Sequence, residues 1–146
     1  MSGHREQAHL DAPVEMVWDL VATPTHHPEW WPRVLEVQGE RFEQGDQYAQ
    51  VTETPFGRES TNFLFERREN LRQVRLSCQH TGMYADWLFT PAQGGTFVEL
   101  EMGMIPKRTS DRLVNATIGR SYFRRWASGS IDGLRGAVEA RVAGSA

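Results

Sequence analysis

The chain has 146 residues, 39% of them hydrophobic and 24% charged, with a formal net charge of −3. That is the make-up of one ordinary globular domain over residues 1–146, with enough chain to bury a core, and its mild negative charge argues against general attraction to nucleic acid. The single cysteine, Cys78, excludes an internal disulfide and a multi-cysteine zinc site, and no apolar run reaches membrane-spanning length.

In chain order, the polar start, residues 1–7, has no apolar core and does not read as a secretory signal, so a cytoplasmic location without membrane insertion is expected. A strand-like lead, His9-Leu10-Asp11, runs into a short helix. Asp11 is placed to cap it, Pro13 falls in its first turn, and Val14, Val17, Trp18 and Val21 form its buried stripe. Pro24 and Pro28 divide the next stretch, and a second short helix is predicted over 25–30, closed by Pro32. Strands are predicted over 34–42, 47–54 and 59–68, the last with Thr61, Phe63 and Phe65 on one face. Pro55-Phe56-Gly57 makes a tight turn between two of them. The fifth strand carries Val74, Leu76, Cys78 and His80 on one face. The sixth turns Met83, Ala85, Trp87 and Phe89 inward and Tyr84 and Asp86 outward, and the seventh buries Val98, Leu100, Met102 and Met104. Residues 109–142 are helical in pattern, with Phe123, Trp126, Ala127, Ser130, Ile131, Leu134 and Val138 on one stripe and Arg120, Arg124, Arg125 and Asp132 away from it. Gly129 marks a place where a strand or ligand approaches that helix closely, and Gly119 a place for a kink.

Several groups invite a chemical reading. Trp30-Trp31 is either a pocket wall or two packed rings, and packing is preferred because tryptophan is highly buried on average. Cys78 and His80, two apart on one face, resemble a thiolate–imidazole pair, yet no oxyanion-hole motif or third residue accompanies them, so Cys78 is assigned to packing. His26-His27, His4 and His9 lack a convergent ligand set and are expected to be solvated, so neither metal nor cofactor is expected. Tyr48, Tyr84, Tyr122, Asn62 and Gln38 are the polar groups weighed for orienting a ligand or moving protons; Tyr84 points outward by alternation, Tyr122 sits beside the helix stripe, and no general base stands out among them.

Two small helices after a first strand, an antiparallel meander and a long closing helix is the order of the helix-grip fold. The pieces Asp11-Ala12-Pro13 with Val17-Trp18 and Leu20, Trp30-Trp31-Pro32, Gly45, Trp87-Leu88-Phe89-Thr90-Pro91, Gly94-Gly95-Thr96, and Ile131-Asp132-Gly133-Leu134 with Val138-Glu139 carry a resemblance that covers nearly the whole chain. They resemble the superfamily that groups START lipid-transfer domains, polyketide cyclases/dehydrases and birch-pollen-allergen-like proteins. The resemblance implies an α+β fold, with a seven-stranded curved antiparallel sheet in strand order 2-3-4-5-6-7-1 around the long C-terminal helix. It also implies a cavity for an apolar or aromatic small molecule, and it leaves room for a homodimer. Connection parity in such a meander gathers Trp31, Phe56, His80 to Gly82 and Ile105-Pro106 at one end of the sheet, where Phe56, odd as a solvated tip, suggests the mouth. The ligand-binding set expected from this reading is Trp31, Phe56, Phe63, Phe65, Leu76, Cys78, His80, Met83, Trp87, Met102, Tyr122, Phe123 and Trp126. A true cyclase acting by aldol closure and dehydration, and a module that regulates a protein partner, are the alternatives.

Overall fold

The computed structural model describes residues 2–106, 108, 109, 112, 113, 116 and 119–144. Seven strands, β1 (Ser2–Leu10), β2 (Val34–Gln38), β3 (Gln47–Thr54), β4 (Gly57–Glu69), β5 (Gln73–Cys78), β6 (Met83–Ala92) and β7 (Gly95–Met104), form one antiparallel sheet in the order β1-β7-β6-β5-β4-β3-β2. Helix α1 (Val14–Ala22), a 3₁₀ turn (Pro24–His26) and helix α2 (His27–Trp30) lie between β1 and β2, and helix α3 (Gly119–Gly144) closes the chain across the concave face. This is the α+β helix-grip architecture expected from the sequence. The expected start of the last helix, from residue 109, lies partly outside the described residues.

The strand faces follow from period-two alternation. Val74, Leu76 and Cys78 on β5, Ala85, Trp87 and Phe89 on β6, and Val98, Leu100 and Met102 on β7 all point into one core. The outer face is held by cross-strand polar pairs: Arg5 to Glu101 (2.8 Å), Gln7 to Glu99 (3.0 Å) and the Tyr84 hydroxyl to Glu101 (2.7 Å). Tyr84 points outward as predicted, yet it is buried there under this network and the Arg75 guanidinium, 4.5 Å from its ring.

Four local expectations are corrected. Strand β1 begins at Ser2 rather than near His9, because its polar residues take partners on β7 rather than apolar burial. Asp11 does not cap α1: Pro13 occupies the cap position without a side-chain bond, and the exposed Asp11 carboxylate lies 3.4 Å from His9 Nδ1. Strand β2 ends at Gln38, and Phe42 instead folds back so that its ring lies 6.1 Å from Tyr48 and 6.2 Å from Phe65. Gly129 is not the point of close approach, since a Cβ there would make only ordinary contact with Pro32 at 3.5 Å.

That role belongs to Gly133, where a Cβ would collide with the Trp30 carbonyl oxygen. Gly133→Ala should therefore lose roughly 1–3 kcal/mol by overpacking, despite the helix propensity that alanine adds. Gly136, with nothing within 4 Å of a built Cβ, is the control. Gly136→Ala should gain up to about 1 kcal/mol in the same urea melts. Equal shifts of one sign in both variants would contradict the close contact.

Candidate functional site

Helix α3 does not lie uniformly on the sheet. In its middle, small residues bring it down: Ala127 and Ser130 are fully buried, and the Ser130 hydroxyl donates to the Trp126 carbonyl (2.6 Å) and lies 3.8 Å from Met102 Sδ. Near its start the residues are large. The Phe123 and Trp126 rings stack at 6.2 Å, and Tyr122 lies edge-on to both at 5.2 and 5.6 Å. Trp126 is anchored by its indole N–H donating to the Pro32 carbonyl at 2.6 Å. Between these rings and the sheet is a cavity of about 490 Å³, a size that suits a small molecule.

Two kinds of side chain line the cavity. Phe63, Met83, Met104, Phe123 and Trp126 supply its apolar surface. Thr52, Thr54, Thr61, Thr81 and Cys78 add hydroxyls and a thiol, with Cys78 paired directly opposite Phe63. The register explains the polar part of the lining, because Thr52 pairs with Glu59 and Gln50 with Thr61, setting inward polar residues side by side on β3 and β4. They are also bonded to one another. Gln50 Nε2 donates to Thr52 Oγ1 (2.8 Å), the Cys78 thiol to Thr61 Oγ1 (3.4 Å), and the Thr81 N–H to Cys78 Sγ (3.4 Å). Burial pushes the Tyr122 phenol up from its ordinary value, against the nearby Arg33 guanidinium, which lies 4.8 Å from the ring.

At the mouth are Pro55 and Phe56 from the β3–β4 turn, Arg58, Glu59 and Arg108. Arg108 donates to His80 Nε2 (2.6 Å) and to Glu59 Oε1 (3.3 Å), and so ties the segment after β7 to β4 and to the β5–β6 turn. Phe56 is 81% exposed at the tip of its turn. Gly57 supports the turn with φ 112°, a backbone conformation that favours glycine.

Of the expected set, Phe56, Phe63, Cys78, Met83, Tyr122, Phe123 and Trp126 line this cavity. Phe65, Leu76 and Met102 do not: they form the next row inward, where β4, β5, β6 and β7 pair Phe65 with Leu76, Leu76 with Ala85 and Ala85 with Met102, under the helix. Trp87 is a further row in, paired with Val74 and Leu100. Trp31 is not at the mouth. It stacks on Trp30 (5.4 Å, 5° between planes), meets Trp87 at 5.5 Å and His27 at 4.8 Å, and is 4% exposed. His80 is not on the face of Cys78, because β5 ends at Cys78 and the turn carries His80 outward to Glu59 and Arg108. The thiol and the imidazole therefore do not form a pair.

Two further results were not read from the sequence. Thr52, Thr54, Glu59 and Thr61 face the cavity, and the available signal was their place at inward register positions beside Phe63. His27 is fully buried rather than solvated. Its Nε2–H donates to the Val21 carbonyl (2.7 Å), while Nδ1 has no partner among the described residues. Tyr48 is likewise buried beside Phe63 with its hydroxyl unpartnered among the described residues, and burial pushes that phenol up. Among the described residues no cluster of three or more His, Cys, Asp or Glu is placed to hold a metal ion, and no helix is long and apolar enough to cross a membrane.

Solved structures share this architecture. A protein from Nitrosomonas europaea aligns over 97% of both chains at 15% identity with a TM-score of 0.71. An AHSA1-like protein from Aeromonas hydrophila aligns over 95% of this chain and 93% of its own at 18% identity and 0.71. A START superfamily protein from Mycobacterium smegmatis aligns over 95% and 98% at 14% identity and 0.70. At such identities the likeness concerns the fold alone. No curated protein matches the sequence. The family described as polyketide cyclase/dehydrase and lipid transport, however, matches residues 4–139, nearly the whole of the sheet and helix that enclose the cavity, and the chain belongs to that family.

Proposed function

We propose that this protein binds an apolar or aromatic small molecule, lipid- or polyketide-like, in the cavity between helix α3 and the sheet. The observation that carries this reading is the mixed lining of the cavity: aromatic and methionine side chains together with hydroxyls and a thiol. Such a lining favours a ligand buried mainly by apolar contact and oriented by a few neutral hydrogen bonds. The polar groups deep in the cavity are bonded to each other and are not set as an acid facing a base. Native mass spectrometry of the purified protein, followed by denaturing extraction, tests the reading. A bound apolar mass released on denaturation supports it. A protein that carries nothing and binds no apolar probe at micromolar concentrations contradicts it.

Two substitutions refine the reading. Phe56→Ala should lower the affinity of an apolar fluorescent probe while changing global stability little, because an exposed turn tip has few core contacts. Unchanged affinity with a large fall in melting temperature would make Phe56 a core residue. Cys78→Ser should keep probe affinity within about tenfold, since the hydroxyl can still donate to Thr61 and accept from Thr81. A covalent adduct on Cys78 with substrate-like electrophiles, together with turnover lost in the variant, would overturn this assignment.

A second reading, a cyclase that closes and dehydrates a polyketone, draws on one observation. The Glu59 carboxylate lies in the cavity lining with Arg108 at 3.3 Å and His80 at 3.7 Å, a base beside a cation at the entrance. Turnover of a poly-β-keto thioester that Glu59→Gln abolishes would select it. Its weakness is position: the three groups sit at the rim, and the His80 side chain is 54% exposed.

A further inference from the structure

We infer that the cavity-mouth end of this protein docks on an anionic lipid bilayer, with the Phe56 tip at headgroup level and the surrounding arginines against acidic headgroups.

The first observation is where apolar surface is exposed. Among the described residues, the three most exposed large hydrophobic side chains are Phe56 (81%), Leu113 (65%) and Ile105 (52%). All belong to one end of the molecule. Phe56 is part of the mouth. The Ile105 N–H donates to the Gly82 carbonyl (2.9 Å), which places it beside the β5–β6 turn. Leu113 follows Arg112, whose N–H donates to the carbonyl of the mouth residue Arg108 (3.0 Å). The other exposed ones, Leu35 on edge strand β2, Leu88 on β6 and Val142 near the end of α3, are only 37–43% exposed.

The second observation is charge. Arg33, Arg58, Arg108 and Arg112 gather at this end, where the described acids are Glu53 and Glu59. The chain as a whole is negative, so this local excess of cations is not a background of composition. Apolar side chains projecting among arginines suit the boundary between headgroups and acyl chains of an acidic bilayer.

The third observation is rigidity. The Phe56 N–H donates to Thr54 Oγ1 (3.1 Å), and that hydroxyl donates to the Gly57 carbonyl (2.8 Å). The tip thus already has its docking shape, and little order is lost on contact. Docking in this pose faces the cavity mouth to the bilayer, so that an apolar ligand passes between membrane and cavity without crossing water. That last step rests on the binding function proposed above; the docking does not.

Co-sedimentation of the full chain with vesicles tests the inference, using phosphatidylcholine alone and phosphatidylcholine with about one-third phosphatidylserine. The protein should pellet with the anionic vesicles only, and less as salt is raised. Phe56→Ser should weaken partitioning roughly tenfold. Arg112→Ser should weaken it about fivefold while leaving the affinity of the cavity for an apolar probe unchanged. Leu88→Ser, on the outer sheet face, should change neither. Thermal melts establish that each variant is folded. Absence of anionic-vesicle binding at low salt, equal binding to both vesicle types, or an effect of Leu88→Ser equal to that of Phe56→Ser would overturn the inference. Binding to polyglutamate but not to vesicles would overturn it in favour of an acidic protein partner. A protein that binds the probe but no vesicles refutes docking alone, whereas one that binds vesicles but no probe refutes the cavity reading alone.

Discussion

Replacing Trp126 by alanine is expected to lower stability by roughly 3–5 kcal/mol, the range for deleting a large buried ring. The indole is 4% exposed, stacks on Phe123, meets Tyr122 edge-on and donates to the Pro32 carbonyl. Its loss removes a strut that holds α3 off the sheet and leaves the Pro32 carbonyl without its donor. Trp126→Phe separates the two contributions: it keeps most of the ring and should cost about 1 kcal/mol for the lost hydrogen bond together with a small packing defect. Urea melts of the three proteins check this. A change within about 0.5 kcal/mol for the alanine variant would place the ring at the surface and remove one wall of the cavity.

The second large effect is with pH. Burial pushes the His27 imidazole down from its ordinary 6.5 to about 4, helped by the neighbouring His26 and opposed by the bond to the Val21 carbonyl. The atoms show why. Nε2–H already serves Val21, so a second proton must go to Nδ1, which is buried without a partner among the described residues, in a ring packed edge-on against the Trp30–Trp31 stack. The unfolded chain binds this proton near pH ~6.5, whereas the folded chain resists it. The neutral, buried form therefore contributes its full stability above about 6.5, and that contribution is lost as the pH falls through the window down to about 4. The loss is roughly 3 kcal/mol by linkage. His27→Gln keeps a donor for Val21 without a titrating ring. The wild type should lose about that much more stability than the variant across the window, while carboxylate pairs elsewhere titrate alike in both. Parallel pH profiles would show that His27 is protonated without penalty.

The alternation of β5, β6 and β7 and the stripe on α3 were legible because each period is tied to one buried face. Turn parity in an antiparallel meander also brought Phe56 and the β5–β6 turn to one end, without any knowledge of distances. What alternation does not carry is depth. Phe63 and Phe65 share a face of β4 and look equivalent in sequence, yet Phe63 lines the cavity and Phe65 is packed core against Phe42 and Tyr48. The difference is set on another element, where α3 changes from Trp126 to Ser130 and closes onto Met102. His27 and Trp31 were misplaced for a related reason. Their burial is set by each other, by Trp87, and by Gly133, which lets α3 close on the Trp30 backbone, and none of these contacts is local in sequence. The polar lining was not read from the sequence because it arises across a register, Thr52 beside Glu59 and Gln50 beside Thr61, that is not local in the chain.

Blocking the cavity tests the central claim most directly. Thr61 is half-buried, projects into the cavity between Gln50 and Cys78, and has room in front of it rather than packed core. In Thr61→Trp the indole should fill that space. Titration with an apolar fluorescent probe should then show binding to the wild type and none to the variant, with both melting at similar temperatures. A variant that melts like the wild type and still binds the probe with wild-type affinity would contradict the account, because the ligand would then sit somewhere other than between α3 and the sheet.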